Sequence, residues 1–259
     1  MRAATRVDGR QARWDDHNAE RRRQVLDAAV ELLEELPPGS DVHVQQIAER
    51  AGLVRTVVYR HFKGRADLNR AVQAHVVDRI RAELEPTLEF RGSIAEIIDR
   101  IVGSYVAWVA EHPNLHEVSE RALGDGLAGE LDRAIEETSD QFSTLIRTGA
   151  QVLGLKLEES QLAALDLLVV GLIGQVRGTV GLWVRRPDRA FNVAALTRLL
   201  SQWVWFQIDG QARELGVQLD ANLPVERLGE LRAGRVHTKG GPTKPTARPS
   251  SPALSVNAP

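Results

Sequence analysis

The chain of 259 residues contains no cysteine, which excludes disulfides and thiol nucleophiles and fits a reducing compartment. It also lacks a glycine-rich phosphate loop and a nucleophile elbow. Its carboxylates are spread along helical faces as solvated residues, so no catalytic residue is assigned, no cofactor is expected and an enzyme is not the expected class. An apolar signal core is missing from residues 1–23, where Arg2, Arg6, Arg10, Arg13, Arg21, Arg22 and Arg23 mingle with Asp8, Asp15 and Asp16. A cytoplasmic protein with no membrane partner is therefore expected. Alternating strand-like runs are few, and charge of one sign does not dominate, since the net charge is -2.

What is present is helical periodicity. A hydrophobic content of 43% is enough for one large or two modest cores. A first helix is predicted near 18–36, with Val25, Ala28, Ala29, Leu32, Leu33 and Leu36 as its buried stripe. Further helices are predicted near 66–84, 93–111, 114–123, 127–154, 159–185 and 192–215, with a short one near 223–232. Pro86, Gly92, the pair His112 and Pro113, Gly124 to Gly126, Gly154 and Pro187 separate them. Ser93 with Glu96 has the spacing of a capping box, and Glu158 with Glu159 places negative charge at a helix start. Charge is uneven along the chain: residues 1–80 sum to +2, residues 81–232 to -8 and residues 233–259 to +4. The last segment holds five of the 11 prolines and the cations Arg235, Lys239, Lys244 and Arg248, so a disordered tail is expected there.

Residues 44–68 carry the most information. Val44, Ile47, Ala48 and Ala51 are spaced for one buried helical face, and Gly52 ends that helix. In the next helix Val54, Val58 and Phe62 stand four apart, which turns Arg55, Thr56, Tyr59 and Arg60 outward. Two short helices joined by a glycine turn form a helix-turn-helix, a device that places its second helix in the DNA major groove. Residues 44–70 hold six basic residues against two acidic ones, which suits a phosphate backbone.

Ile47, Ala48, Ala51, Gly52, Tyr59, His61, Phe62 and Leu68, with Arg65 at a lysine position, stand in register with the pattern I-A-x-x-A-G-V-S-x-x-T-L-Y-x-H-F-x-x-K-x-x-L. On these residues the chain resembles the TetR family of bacterial one-component transcription regulators, as an actinobacterial-like member of the TetR/AcrR type. The resemblance implies an all-α protein, with an N-terminal three-helix helix-turn-helix DNA-binding head plus a C-terminal helical ligand-binding and dimerisation domain. The expected division is a flexible arm at 1–17, the head at 18–66, the body at 67–232 and the tail at 233–259. It further implies a repressor that binds a palindromic double-stranded DNA operator as a homodimer and is released by a small-molecule effector. Arg55, Thr56 and Tyr59, with Gln45 from the preceding helix, are the expected base-edge residues, and His43, His61, Lys63 and Arg65 the expected phosphate ligands. Val54 and Val57 depart from the family pattern, which has a capping serine and a phosphate-reaching threonine there. That departure keeps open an alternative, a ligand-binding helical dimer with weak or lost DNA binding. His43 likewise replaces a capping threonine.

Gly171, Gly174, Gly178 and Gly181 recur at steps of three, four and three within a predicted helix. Each costs about 1 kcal/mol against alanine, so the row calls for close backbone approach by another element. Small residues at this spacing also pack membrane helices, but Asp166, Gln175 and Arg177 interrupt the apolar run. The resemblance assigns the row, with Leu196, Leu200 and Trp203 of the following helix, to an isologous dimer interface. Two subunits would then present their reading helices about 34 Å apart. Trp108, Phe142, Leu145, Ile146, Gln175, Arg177 and Trp183 lie on helices that would surround an effector cavity. An exposed or dimer-interface Arg177 is the plainer reading; a buried one needs a partner, a ligand carboxylate or Asp166. His112 and His116 are four apart near Glu117 and Glu120, but Pro113 places His112 ahead of the helix, so no metal site is assigned.

Overall fold

The computed structural model describes residues 9–37, 40–89, 91–121, 129–152, 154–186, 188 and 190–227. The expected tail at 233–259, the glycine turn at 124–126, Pro187 and the first eight residues of the expected arm lie outside them. The described residues form nine α-helices: α1 Gly9–Glu35, α2 Val44–Arg50, α3 Arg55–His61, α4 Arg65–Leu84, α5 Ile94–Glu111, α6 Pro113–Glu120, α7 Glu130–Val152, α8 Glu159–Val184 and α9 Val193–Glu214. No strand occurs among them, only an isolated bridge between Ser93 and Pro224.

From α4 onward the helices start and stop within about three residues of their expected ends. The reasons are local. Ser93 Oγ accepts from the Glu96 N–H and Glu96 Oε2 accepts from the Ser93 N–H, so α5 opens with a reciprocal cap. Gly52 ends α2 at φ 64, a left-handed conformation, with Leu53 N–H to Ala48 O at 2.8 Å and Gly52 N–H to Glu49 O at 3.0 Å. Two differences appear. The first helix begins at Gly9 rather than 18, because nothing from Arg10 to Asn18 breaks a helix, so residues 9–17 are helical and not a flexible arm. The helix expected near 223–232 is a single 3-10 turn at Val225–Arg227 within the described residues.

One core runs through the molecule. Val25, Ala29 and Leu33 of α1 meet Ile47 and Ala48 of α2, Val58 of α3, Phe62, and Leu68 and Val76 of α4; it continues into Val106 and Val109 of α5, Leu115 of α6, Val180 of α8 and Leu200 of α9. Because α4 contributes to both ends of this core, the first three helices are not an independent lobe. The last helix, α9, runs back along α5: Thr197 lies against Gly103, and the chain beyond α9 bonds to the start of α5 through Ala95 N–H to Ala221 O at 3.0 Å.

By length and a mean hydropathy of 1.6, α8 is sufficient to cross a membrane. It is tied instead into the helical body by Arg177 to Glu120 of α6 and by Asp166 to Arg147 of α7, at 2.8 and 2.7 Å. At the junction between head and body, Asn114 Nδ2 donates to Leu33 O and Leu36 O at 2.8 and 2.6 Å, filling orphan carbonyls at the end of α1.

Candidate nucleic-acid interface

The head is built so that α3 is held from behind and bare in front. Behind it, Val58 and Phe62 are buried, Arg22 of α1 stacks 4.3 Å from the Phe62 ring centroid, and the same guanidinium donates to His61 O at 2.8 Å. Gln24 Nε2 donates to Ala51 O at 2.7 Å, so α1 also fixes the turn ahead of α3. In front, Arg55, Thr56, Tyr59 and Arg60 are exposed. Arg55 Nη2 donates to Tyr59 Oη at 3.3 Å and lies 5.4 Å from that ring's centroid, which orients a pair that would otherwise be free.

The cations of the motif divide into two groups. Arg50 is bound to Glu31 and Glu35 of α1, and Arg70 lies 4.0 Å from Asp67, so neither offers net charge. Arg55, Arg60, Lys63 and Arg65 are exposed and have no acidic partner among the described residues. The positive field is legible at His61: burial, then the nearby charges of Arg22, Arg21, His17 and Arg60, hold its imidazole below the ordinary histidine value. Arg55, Arg60, Lys63 and Arg65, exposed and without an acidic partner among the described residues, form a surface that attracts a phosphate backbone.

Other expected DNA ligands lie on or beside this face. Gln45 is exposed and donates to Glu49 Oε1 at 2.7 Å. His43 is exposed just ahead of α2, where its N–H donates to Gln46 Oε1 at 2.8 Å. Sequence reasoning placed Val54 among the inward residues, but it is 65% exposed, immediately before α3, and provides no side-chain cap. The departure from serine was the available signal.

The residues assigned to a subunit interface separate. An added Cβ at Gly171, Gly174 or Gly178 meets nothing within 4 Å, so these three line an open face. Gly181 is a correction: its Cβ position is 3.0 Å from the His116 ring, so it packs inside the subunit. Leu196 and Leu200 are corrections as well, being 2% and 0% exposed on the side of α9 that meets the subunit's own core. Trp203 is half-buried against that core. The open stripe runs instead through Leu167, Val170, Gly171, Gly174, Gly178 and Leu182, with Phe206 exposed on α9. Steps of four and three from Leu167 would have found it.

The residues expected around an effector cavity have separate surroundings among the described residues. Trp108 and Trp183 are core, Phe142 and Ile146 are half-buried, and the Leu145 side chain lies outside the described residues. Gln175 accepts from Gln207 at 2.6 Å. Arg177 bonds Glu120 through Nε and Nη2 at 3.1 and 2.8 Å, a partner other than the Asp166 or ligand carboxylate considered for a buried Arg177. Glu120 in turn lies 3.7 Å from His116, whose Nε2 is 3.0 Å from Tyr105 Oη. Burial raises the Tyr105 phenol above its usual range. A cavity of about 80 Å³ lies elsewhere, among residues of α1, α2, α4 and α6 that include Arg65, Gln73 and Arg121. His112 contacts Glu34 at 2.9 Å and so turns away from His116.

Residues 25–72 match the family model of the bacterial regulatory proteins of the tetR family. An uncharacterized HTH-type transcriptional regulator of Mycobacterium tuberculosis is 30% identical over 113 residues, covering 42% of this chain and 46% of the relative, so the chain spans less than half of that protein's length. A tetR-family transcriptional regulator from Streptomyces coelicolor has the same fold at a TM-score of 0.57, with 21% identity over 84% of this chain and 89% of that one. The regulator FadR from Bacillus subtilis, solved with stearoyl-CoA, is similar at 0.54, with 19% identity over 70% and 96% of the two chains.

Proposed function

We propose, from the premise that this chain belongs to the tetR family of bacterial regulatory proteins, that it is a DNA-binding transcriptional regulator. It acts as a homodimeric repressor in the cytoplasm, with a DNA-binding head at residues 18–66 and a ligand-binding and dimerisation body at 67–232. The observation that carries the reading is the exposed face of α3, where Arg55, Thr56 and Tyr59 stand beside cations that have no acidic partner among the described residues. Arg55 pairs with a guanine edge, Thr56, Tyr59 and Gln45 complete the base contacts, and Lys63, Arg65, His43 and His61 hold phosphates.

The open stripe of α8 supports the dimer. Three glycines with space above them, flanked by exposed Leu167, Val170 and Leu182, are what two helices need to approach backbone to backbone. A homodimer turns one reading helix into two, suited to an inverted repeat. Release by a small molecule acts through the body, and Arg177 with Glu120 is the polar pair a ligand between α6 and α8 would meet.

A gel-shift titration against DNA adjoining the chain's own gene tests this reading. Wild-type protein retards that DNA in preference to unrelated duplex, and Arg55→Ala loses the preference, at about 1–3 kcal/mol for a bidentate contact. Equal retardation of both duplexes by wild type would leave the alternative, a helical dimer without operator binding.

A further inference from the structure

Along the exposed side of α3 Arg55, Thr56, Tyr59 and Arg60 are polar or charged, and the exposed apolar residue beside them is Val54. Val54 is 65% exposed, directly ahead of Arg55, and its carbonyl accepts from the Val57 N–H at 2.8 Å, so a half-buried second valine stands one turn along. The position is unfavourable for valine in the isolated protein on two counts. A residue preceding a helix stabilises it best with a side-chain oxygen, and Val54 makes no cap. Its apolar surface is also left in water. Both disadvantages persist in the free chain, and the second is offset where the side chain meets an apolar partner.

In a major groove, the one alkyl group that the base edges project is the C5-methyl of thymine, and the polar edge groups are hydrogen-bond donors or acceptors. We propose that Val54 reads a thymine methyl in each operator half-site, making it a specificity-determining residue beside Arg55. This inference rests on the DNA-binding reading above and deepens it: the operator carries thymine next to the base pair that Arg55 contacts. The contact belongs to the side chain and is independent of the charge that surrounds it. It therefore persists at salt concentrations that weaken the phosphate contacts of Lys63 and Arg65.

The experiment removes the methyl group without changing any hydrogen-bonding edge. Full-length protein selects its preferred duplex from a random-sequence library, and each thymine of that duplex is replaced in turn by deoxyuridine. Wild type loses about fourfold in affinity at one thymine per half-site, the effect of burying one carbon less, and about sixteenfold when both half-sites are changed. Val54→Ser binds the thymine and deoxyuridine duplexes alike, whereas Val54→Ile keeps the discrimination. Melting curves of both variants match or exceed wild type, since an exposed residue is being changed. If no thymine methyl affects wild-type affinity, or if its effect survives undiminished in Val54→Ser, the inference is overturned while the regulator reading stands. If the library yields no preferred sequence, both fall together.

Discussion

Truncating Leu167 to alanine separates a subunit interface from a subunit core. Leu167 is 73% exposed on α8, four residues before Gly171, on the face where Gly171, Gly174 and Gly178 have open space above them. The side chain has little to lose within its own subunit, so the change alters the stability of the fold by about 0.5 kcal/mol or less. In a two-fold dimer it is removed twice. Losing roughly three buried carbons per copy, at about 0.8 kcal/mol each with allowance for incomplete burial, weakens the dimer by about 4 kcal/mol, or about a thousandfold in dissociation constant. Sedimentation equilibrium of the full chain reads the constant, and far-UV circular dichroism checks that helicity is retained. Leu196→Ala is the matched control: at 2% exposure in the subunit core it leaves a cavity and costs about 2–5 kcal/mol of fold stability. A Leu167→Ala dimer within about twofold of wild type would refute the assignment of the α8 face.

Gln73 is 3% exposed and its Nε2 faces Val118 O, Ser119 O and Arg121 O, so Gln73→Ala removes a buried donor from the carbonyls at the end of α6; urea denaturation should show a loss of about 2–3 kcal/mol. Burial, reinforced by Arg177 and Arg185 and opposed by Glu120, holds the His116 imidazole below its ordinary value. The unfolded chain therefore binds a proton that the folded one refuses. The stability involved is present above the unfolded value, near pH 6.5, and is lost as pH falls below it; in His116→Gln the melting temperature should fall less steeply between about pH 7 and 5. DNA phosphate beside His61 would oppose the cations that depress its imidazole, so complex formation should take up a proton. Operator affinity by fluorescence anisotropy then rises from pH 7.5 to 6, and His61→Gln flattens that rise.

The helices were legible because their ends are written in local chemistry. Ser93 and Glu96 cap α5 and Gly52 stops α2 whatever packs against them. Partners distant in sequence were not legible. Arg177 finds Glu120, 57 residues earlier, because α6 lies across α8, and no spacing rule encodes that crossing. The same limit explains the interface residues. The apolar surface of α9 exceeds one face, and periodicity alone does not say that Leu196 and Leu200 meet their own subunit while Phe206 stays exposed. On α8, Gly181 and Leu182 are neighbours 100° apart, so a row read by glycine identity drifts off the open face at its last step. Arg55, Arg60, Lys63 and Arg65, with no acidic partner among the described residues, were readable as charge, but the neutralisation of Arg50 by Glu31 and Glu35 needed α1 to be seen beside α2.

The orientation of α3 depends on a sequence of buried caps rather than on its own short length. Seven residues cannot hold a helix in isolation, so α3 takes its position from α1 behind it and from α4, which begins four residues after it ends. Asn114 at the start of α6 fills the orphan carbonyls of α1, and Gln73 of α4 fills those at the end of α6. Asn114 joins the end of α1 to the start of α6, and Gln73 joins the side of α4 to the end of α6, with Gln73 buried and Asn114 partly so. Sliding α6 against either neighbour leaves carbonyls unpaired at about 1–3 kcal/mol each, a penalty comparable to the coupling between sites in regulated proteins. Helices α1, α4 and α6 are therefore tied to one another by these bonds. Arg65, the first residue of α4, stands at the head end of that linked set, four residues after α3 ends.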